Sequence, residues 1–299
     1  MTTTLITGIN GFTGRYLSKL LASQGHRVHG IAHSPSAIEV PGAREILYCD
    51  LNDTSRLPEL VSRVQPDHVV HLAAISHVAH ENIDELYSTN VLGTRHLLTS
   101  LSKLKKTPES IILASSANIY GNSYQGMIDE LTSPAPANDY GISKLASEYV
   151  ARLFIDILPI IIVRPFNYTG VGQGTNFIIP KIIEHTRRKA SVIELGNLDV
   201  ARDFSDVRYV TEAYAKLLHT PSAIGKVLNI CSGHAIDLNE ALNILSKISG
   251  HYMKVSVNPS FVRANEVKSL WGDPSRLESI IGQMNKYSFT DTLQWMLEA

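Results

Sequence analysis

The feature that most constrains this 299-residue chain is a glycine-rich turn over residues 7–14, which follows a short apolar run. Its glycines, Gly8, Gly11 and Gly14, are spaced three residues apart, and the apolar residues that follow them have helical spacing. A strand, a tight turn and a helix in that order direct backbone amides and a helix N-terminus at one point, which suits a pyrophosphate. The turn therefore predicts a dinucleotide-binding fold at the start of the chain.

Strands and helices alternate through the first 165 residues, and the strands are nearly continuous apolar runs. We expect strands at about 4–7, 27–32, 45–49, 68–72, 110–114 and 160–163. Between them we expect helices that end near residue 23 or cover about 55–64, 85–103 and 139–158. This alternation predicts the α/β class, with a doubly wound parallel sheet.

The pattern becomes mixed after residue 165, where a polar, glycine-rich loop covers residues 167–176. Helices are expected over 177–188, part of 204–218, 236–249 and the last fifteen residues, with short strands at 191–195 and 227–230. We interpret this section as a smaller C-terminal mixed α/β cap over the carboxyl ends of the strands, where ligands of such sheets bind. Residues 1–165 with about 203–232 would form the dinucleotide-binding domain. Residues of about 166–202 and 233–299 would form the sugar-nucleotide-binding domain.

Composition argues against several classes of partner. The net charge of −1 gives no electrostatic reason to expect nucleic acid or an anionic membrane. Apolar runs fall short of the ~20 residues of a membrane span, and the first residues do not form a secretory leader, so we expect a cytoplasmic protein. Cys49 and Cys231 lie far apart, and the twelve histidines form no metal motif, so no metal site is expected. His68 and His71 are expected to be buried.

Two polar stretches carry candidate chemistry. Tyr140 and Lys144 lie one helical turn apart on the same face, and Ser116 follows the strand at 110–114. A phenol has a pKa of about 10 and an adjacent ammonium favours its ionised form, so Tyr140 is a candidate proton donor or acceptor. Either stretch alone also fits a surface pair or a serine-rich loop, but their order after the glycine turn favours catalysis.

This order resembles the extended short-chain dehydrogenase/reductase family of sugar-nucleotide epimerases, dehydratases and reductases, over essentially the whole chain. Asp50-Leu51, His71-Leu72-Ala73-Ala74, Asn90–Thr94 and Arg164–Asn167 agree with the same family. The resemblance implies that Ser116, Tyr140 and Lys144 are catalytic. It also implies a cofactor site made of Gly8, Asn10, Gly11, Phe12, Gly14, His33, Asp50, Leu51, Leu72, Ala73, Ala74, Tyr140, Lys144 and Phe166.

The second half resembles GDP-mannose 4,6-dehydratases and GDP-4-keto-6-deoxymannose reductases over residues 196–204, 258–267 and 272–274. By this resemblance Arg202 and Arg263 meet the diphosphate and Glu266 meets the ribose. Guanidinium forks bind phosphate bidentately, and a carboxylate accepts from vicinal hydroxyls. The other substrate contacts implied are Ser76, Ser116, Asn167, Asn176, Phe177, Lys181 and Asn197. Phe261, Leu270 and Trp271 are expected to be packing residues.

The residues after Ser116 bear on the reaction. Dehydratases of this family carry Thr-Asp-Glu or Thr-Ser-Glu where this chain has Ser116-Ala117-Asn118, and neither Ala117 nor Asn118 transfers a proton at neutral pH. We therefore expect reduction of the C4 ketone of a nucleotide-linked 4-keto-6-deoxyhexose, with a GDP sugar favoured. The product would be GDP-D-rhamnose or its 6-deoxytalose epimer. A 4-epimerase and a non-catalytic regulator remain alternatives.

Cofactor preference and assembly follow from two further segments. Ala32-His33-Ser34, at the tip of the second strand, offers no carboxylate for the ribose hydroxyls and no arginine for a 2′-phosphate. NADPH is therefore favoured and NADH allowed. The family resemblance implies a homodimer formed through the helices at 85–103 and 139–158. Apolar residues there either form the interface or pack on the sheet: Leu86, Val91, Leu97 and Leu101.

Overall fold

The computed structural model describes residues 1–76, 80–122, 124, 126–262 and 268–299. Its strands are β1 (Thr3–Thr7), β2 (Arg27–Ala32), β3 (Ala43–Tyr48), β4 (His68–His71), β5 (Ser110–Ala114), β6 (Met127–Ile128), β7 (Ile160–Pro165), β8 (Asn167–Thr169), β9 (Val192–Leu195), β10 (Ala201–Arg202), β11 (Phe204–Asp206), β12 (Val227–Ile230), β13 (Ile236–Asp237), β14 (Lys254–Val257) and β15 (Ser269–Gly272).

The α-helices are α1 (Phe12–Ser23), α2 (Arg56–Val64), α3 (Ile83–Tyr87), α4 (Gly93–Ser102), α5 (Asp139–Arg152), α6 (Ile178–Arg187), α7 (Val207–Leu218), α8 (Leu238–Ser249), α9 (Ser275–Ile281) and α10 (Phe289–Glu298). A π-helical turn covers Ser88–Leu92 between α3 and α4. Short 3₁₀ turns cover Ala117–Tyr120, Pro221–Ala223 and Pro259–Phe261. None of the described helices is long and apolar enough to cross a membrane.

The described residues form a parallel central sheet of seven strands in the order β12-β7-β5-β4-β1-β2-β3. Strand β1 pairs with β2 on one side and with β4 on the other, and the strand order reverses between β1 and β4. This confirms the predicted doubly wound α/β sheet. A crevice lies outside the carboxyl ends of the strands at such a reversal, which is where ligands of open α/β sheets bind.

Both faces of this sheet are buried. Alternate residues of each strand point to opposite faces, so Leu5 and Val69 join one apolar cluster while Ile6 and Val70 join another. Helices α1 and α7 pack together beside one cluster, and α2 packs against α4 beside the other. Burial on both faces explains the continuous apolar strands in the sequence.

The described residues also form three small sheets, β13-β10-β15-β6, β14-β9 and β11-β8, whose strands other than β6 come from the second half. A separate apolar cluster holds α6, α8 and α10 together around Ile182, Leu245 and Leu293. Strand β12 returns to the edge of the central sheet by pairing with β7. The division into domains at about residues 166–202 and 233–299 stays a prediction.

Several elements differ from those that the sequence predicts. The expected helix at 85–103 contains the π-helical turn Ser88–Leu92, and the expected helix at 139–158 ends at Arg152. The segment 204–218 is helical in part, as expected, because α7 follows the short strand β11, whereas Ile236–Asp237 form β13 before α8 begins. Strands β14 and β15 and helix α9 lacked a sequence signal, because each is short and depends on its partners for pairing or packing.

Candidate active site

The glycine turn joins β1 to α1 at the point where the strand order reverses. Gly8 has a φ of +69°, and a Cβ on it would lie 2.8 Å from the backbone nitrogen of Ala73. A Cβ on Gly14 would lie 2.5 Å from the carbonyl oxygen of Ile9. Glycine is therefore required at both positions: at Gly8 by the left-handed backbone, and at Gly14 by the close packing of helix α1 on the turn.

Helix α1 begins with its N-terminus open toward the cleft. Gly11 is its N-cap residue; within the described chain no side chain caps it, and the first turn carries no acidic residue. The free amides and the positive end of the helix dipole suit a phosphate group. The tight turn and the uncapped helix fit the pyrophosphate of a dinucleotide.

The tips of β2 and β3 lie beside this turn. The Asn10 side-chain amide donates to the carbonyl oxygen of Ser34 at 3.3 Å, which ties the turn to β2. His33 Nε2 lies 3.8 Å from Asp50 Oδ2, and both side chains are mostly exposed. Asp50 is thus the carboxylate at this end of the described cleft, supplied by the end of β3 rather than by β2.

A buried hydrogen-bond chain fixes the end of β4. The backbone N–H of Ala73 donates to Thr7 Oγ1 at 3.2 Å, and Thr7 Oγ1 lies 2.6 Å from His71 Nδ1. On the other side, His71 Nε2 lies 2.9 Å from Thr94 Oγ1, which donates to the carbonyl oxygen of Asn90. This network assigns the proton to Nε2. Burial lowers the pKa of His71 to about 3, so the ring is neutral, and its predicted burial is confirmed.

Asn90 connects the loop after β4 to helix α5. Its Oδ1 accepts from the N–H of Ile75 at 2.8 Å, and its Nδ2 donates to the Ile75 carbonyl and to Ser143 Oγ. The residue lies in the π-helical turn, a geometry that often accompanies functional sites. The sequence motif around Asn90 was recognised, but this anchoring role depends on contacts that sequence spacing does not reveal.

Ser116, Tyr140 and Lys144 meet in the centre of the cleft, and all three are buried. Tyr140 hydrogen-bonds to Ser116. Ser116 Oγ also accepts from the backbone and side-chain amides of Asn118, at 3.2 and 3.1 Å. Helix α5 begins at Asp139. Asn138 caps it by accepting from the N–H of Gly141, and the first turn of the helix carries Tyr140 into the cleft beside the end of β5.

Burial dominates the ionisation of this group. It raises the pKa of Tyr140 to about 12, although the hydrogen bond with Ser116 opposes the shift. It lowers the pKa of Lys144 to about 8, although the Glu148 carboxylate opposes that shift. The expected lowering of the Tyr140 pKa by Lys144 is therefore wrong for this structure, because removing the phenolate from water costs more than the hydrogen bond with Ser116 returns.

The 3₁₀ turn after Ser116 supplies the side chains that lie beside the candidate catalytic residues. Ala117 is buried and apolar, while both nitrogens of Asn118 are directed at Ser116. Among the described residues that line the cleft, the carboxylates are Asp50, at the cofactor end, and Glu85, which pairs with His80 at 3.2 Å.

The cap side of the cleft supplies basic and amide groups. Lys181 donates to the carbonyl oxygen of Glu194 at 2.8 Å, with its ammonium 4.4 Å from the ring centre of Phe261. Arg202 donates to the carbonyl oxygens of Ala201 and Lys268. Phe261 is 47% exposed and lines the cleft, which corrects its expected packing role, while Leu270 is buried as expected.

The candidate residues share one cleft with a volume of about 1580 Å³. It is lined by every predicted site residue that the structure describes. Arg263 and Glu266 lie outside the described residues. The lining includes Gly8, Asn10, Gly11, Phe12, Gly14, His33, Asp50, Leu51, Leu72, Ala73, Ala74, Ser76, Ser116, Tyr140, Lys144, Phe166, Asn167, Asn176, Phe177, Lys181, Asn197 and Arg202.

Lining residues that sequence reasoning missed include Thr13, Ser115, Tyr168 and Tyr214. Tyr168 Oη lies 2.7 Å from Thr13 Oγ1, and the hydroxyl of Ser115 has no hydrogen-bond partner among the described residues. Ser115 could have been found from its place beside Ser116. Tyr168 could have been found because it directly follows the recognised segment Arg164–Asn167, whereas Tyr214 lies within α7 and left no local signal.

The sequence profile of the GDP-mannose 4,6-dehydratase family matches residues 5–296. The chain belongs to this family. It is 33% identical to a GDP-6-deoxy-D-talose 4-dehydrogenase of Aggregatibacter actinomycetemcomitans, covering 96% of this chain and 92% of that protein. It is 32% identical to a GDP-6-deoxy-D-mannose reductase of Pseudomonas aeruginosa, covering 98% of this chain and 95% of the relative.

Solved structures agree with this family membership. A Burkholderia cenocepacia J2315 protein provisionally named an epimerase has a TM-score of 0.93 and 46% identity, over 99% of this chain and 97% of that one. RMD from Pseudomonas aeruginosa, solved with NADPH, has a TM-score of 0.84 and 28% identity, over 100% and 97%. MoeE5, solved with UDP-glucuronic acid and NAD, has a TM-score of 0.88 and 27% identity, over 99% and 98%.

Family membership confirms the expected class of enzyme. This member of the GDP-mannose 4,6-dehydratase family is an NAD(P)-dependent oxidoreductase of the extended short-chain dehydrogenase/reductase type, with a nicotinamide cofactor. Its relatives support chemistry at C4 of a GDP-linked sugar.

Proposed function

We propose that the enzyme reduces the C4 ketone of GDP-4-keto-6-deoxy-D-mannose to GDP-D-rhamnose or to the 6-deoxytalose epimer. One observation carries the proposal. The cleft holds Ser116, Tyr140 and Lys144 together, and beside them Ala117 and Asn118 stand where, by the sequence resemblance, dehydratases carry their elimination acids. The chain is thus equipped to deliver one proton to a ketone but not to remove water from a sugar.

The site residues divide this task. When bound, the nicotinamide supplies the hydride for C4. Tyr140 holds its proton throughout the physiological pH range, since its pKa is about 12, and delivers it to the ketone oxygen. Ser116 hydrogen-bonds to Tyr140 and orients the same oxygen. Lys144 is protonated below about pH 8, and its ammonium favours the phenolate that Tyr140 leaves behind.

The remaining site residues are proposed to hold the two ligands. Gly8, Gly11 and Gly14 receive the cofactor pyrophosphate, with Asp50 and His33 beside the adenosine. Arg202 and Arg263 bind the sugar-nucleotide diphosphate and Glu266 its ribose, with further contacts from Ser76, Asn167, Asn176, Phe177, Lys181 and Asn197. The two GDP-sugar relatives, at 33% and 32% identity, support a guanine nucleotide.

An NDP-hexose 4-epimerase is the second candidate. It is favoured by the 46%-identical Burkholderia protein, which is provisionally named an epimerase. An epimerase removes and returns the same hydride, so it retains NAD and consumes no reduced cofactor. Incubation of the purified enzyme with UDP- and GDP-hexoses, without added cofactor, separates the two functions: only an epimerase interconverts the C4 isomers.

We also propose a cytoplasmic homodimer formed through α5 and the helical segment before it. Of the residues expected at the interface, Leu86, Leu97 and Leu101 are buried within the subunit and pack in its core. The outer surface instead presents exposed apolar side chains at Leu92, Ile142, Tyr149 and Leu153. Such a patch supports an interface between subunits. Sedimentation at micromolar concentration tests it: a dimer is expected, and Leu153→Lys should shift the mass toward a monomer.

A further inference from the structure

Helix α5 aligns three ionisable residues that face the cleft and the core. Tyr140, Lys144 and Glu148 follow one another at four-residue intervals, so they lie on one face of the helix. Glu148 is fully buried, and Lys144 is 6% exposed. A buried carboxylate therefore lies one turn beyond the lysine that supports the catalytic phenol.

Arg164, near the end of β7, binds this carboxylate with two of the three nitrogens of its guanidinium. Its Nε donates to Glu148 Oε1 at 2.9 Å and its Nη2 to Oε2 at 2.7 Å, and Arg164 is 2% exposed. The third arm, Nη1, donates to Tyr120 Oη at 2.9 Å, and Tyr120 donates to Asn229 Oδ1. Both oxygens of the carboxylate accept from a guanidinium that is itself bound to Tyr120. These contacts hold the Glu148 carboxylate in place beside Arg164.

We propose that Glu148 and Arg164 are positioning residues that act through Lys144: the Glu148 carboxylate keeps the buried ammonium protonated, and Arg164 limits that effect by neutralising the carboxylate. Neither residue reaches the reacting atoms by itself. The proposal deepens the proposed function, because it names what sets the charge on the lysine of the same site.

The charges around Lys144 support this assignment. Burial lowers the Lys144 pKa to about 8, and Glu148 is the group that opposes the shift. His71 faces the lysine from β4 but is neutral, since its own pKa is about 3. Tyr140, from the same helix, is neutral as well. Among the described residues, the Glu148–Arg164 pair is thus the charged neighbour that can move the titration of Lys144.

A purely structural ion pair predicts a different outcome. Removing either partner of a buried pair destabilises a protein, because the remaining charge is left uncompensated. Both single variants would then lose stability, with no ordered effect on Lys144. Our proposal requires effects of opposite sign, since one variant removes a negative charge near the ammonium and the other removes a positive charge.

The direct test measures Lys144 without substrate or cofactor. Competitive acetylation with acetic anhydride across pH 6–11, read by mass spectrometry of the Lys144 peptide, gives the midpoint at which the amine becomes reactive. We expect a wild-type midpoint near 8, well below the value of about 10.4 for a free lysine side chain. Glu148→Gln should lower the midpoint, and Arg164→Gln should raise it, each by about one to two pH units.

Conservative and paired variants separate charge from folding. Arg164→Lys keeps the positive charge but loses the fork, so it should be less stable and yet titrate within about half a unit of wild type. The double variant Glu148→Gln/Arg164→Gln should give a midpoint between those of the two single variants. The alkaline limb of the pH–turnover profile should move with the labelling midpoint.

Two results would overturn the proposal, and the first is measured on the wild-type protein alone. A wild-type Lys144 midpoint equal to that of exposed lysines would show that burial and the pair leave its charge unaltered. Midpoints that move in the same direction in Glu148→Gln and Arg164→Gln, or that do not move, would reduce the pair to a structural role. Because the labelling uses no sugar, these results are distinguishable from failure of the proposed reaction.

Discussion

The hydroxyl of Thr13 lies 2.7 Å from the phenol of Tyr168, and this contact joins the first turn of α1 to the segment that leads into the cap. The same segment accepts from Tyr16 at the Val171 carbonyl and from Arg15 at the Gly172 carbonyl. These three contacts form one joint between the start of α1, where we propose that the cofactor binds, and the loop that carries predicted sugar-nucleotide contacts. Disturbing that joint should affect both ligands.

We predict that Tyr168→Phe weakens binding of both cofactor and sugar nucleotide by about fivefold. The substitution leaves Thr13, which is mostly buried, without its partner, and one hydrogen bond contributes about 1 kcal/mol. Calorimetric titration of each ligand measures the effect. Tyr252→Phe, at a side chain that is 77% exposed, is the matched control and should change neither affinity. A loss of affinity for the cofactor alone would show that this joint does not affect sugar-nucleotide binding.

Tyr140→Phe should keep cofactor binding but lose most turnover. The phenol is the group placed to give a proton to the ketone oxygen, and general acids typically contribute ~10²–10⁴-fold. Fluorescence titration with NADPH and steady-state turnover separate the two properties. Turnover within a factor of three of wild type would mean that another group delivers the proton.

Arg202→Ala should raise KM for the sugar nucleotide and leave KM for NADPH nearly unchanged. The diphosphate is distant from the ketone, so its binding energy is similar in the ground and transition states and its loss appears mainly in KM. A charged hydrogen bond contributes about 1.5–3 kcal/mol, equivalent to about 10–150-fold. Arg188→Ala, at an exposed position just after the end of α6, is the control. A rise confined to KM for NADPH would show that Arg202 binds the cofactor rather than the sugar nucleotide.

Acid should destabilise the protein through His68, which lies at the end of the sheet opposite the cleft. Burial and the neighbouring His219 ring, 4.8 Å away, lower the His68 pKa to about 4. The folded-state pKa is below the unfolded value of about 6.5, so the stabilisation is present above pH 6.5 and is lost as pH falls toward 4.

The loss through His68 should approach 3 kcal/mol, at about 1.4 kcal/mol per pH unit. Urea unfolding at pH 7, 5.5 and 4.5 measures it. His68→Gln should flatten the decline, whereas His234→Gln, at an exposed position, should retain it. Equal slopes in wild type and His68→Gln would assign the acid sensitivity elsewhere.

Local signals made the core of the site predictable. The glycine turn, the strand at Ser110–Ala114 and the pair Tyr140 and Lys144 depend on residues close in sequence, and the structure places them as expected. The contacts that organise them are not local: Thr13 and Tyr168 are 155 residues apart, and Arg164 and Glu148 are 16 residues apart on different elements.

The sequence also did not reveal how deeply individual side chains are buried. The spacing of Tyr140 and Lys144 identified a pair but not its desolvation, so the direction of the Tyr140 pKa shift was wrong. Helical periodicity likewise showed apolar residues on the helices near 85–103 without telling which face meets the sheet. Leu97 and Leu101 proved to be core residues, while Leu92 is exposed.

The most direct test of the central claim is NADPH oxidation at 340 nm with a panel of GDP- and UDP-linked 4-keto-6-deoxyhexoses, beside a parallel incubation of GDP-mannose with NADP. In the proposed reaction Ser116, Tyr140 and Lys144 reduce the ketone, while Ala117 and Asn118 stand where, by the sequence resemblance, dehydratases carry their elimination acids. We predict that GDP-4-keto-6-deoxy-D-mannose oxidises NADPH stoichiometrically, and that GDP-mannose yields no 4-keto product. Formation of the 4-keto sugar from GDP-mannose, or no oxidation with any GDP-linked ketone, would contradict it.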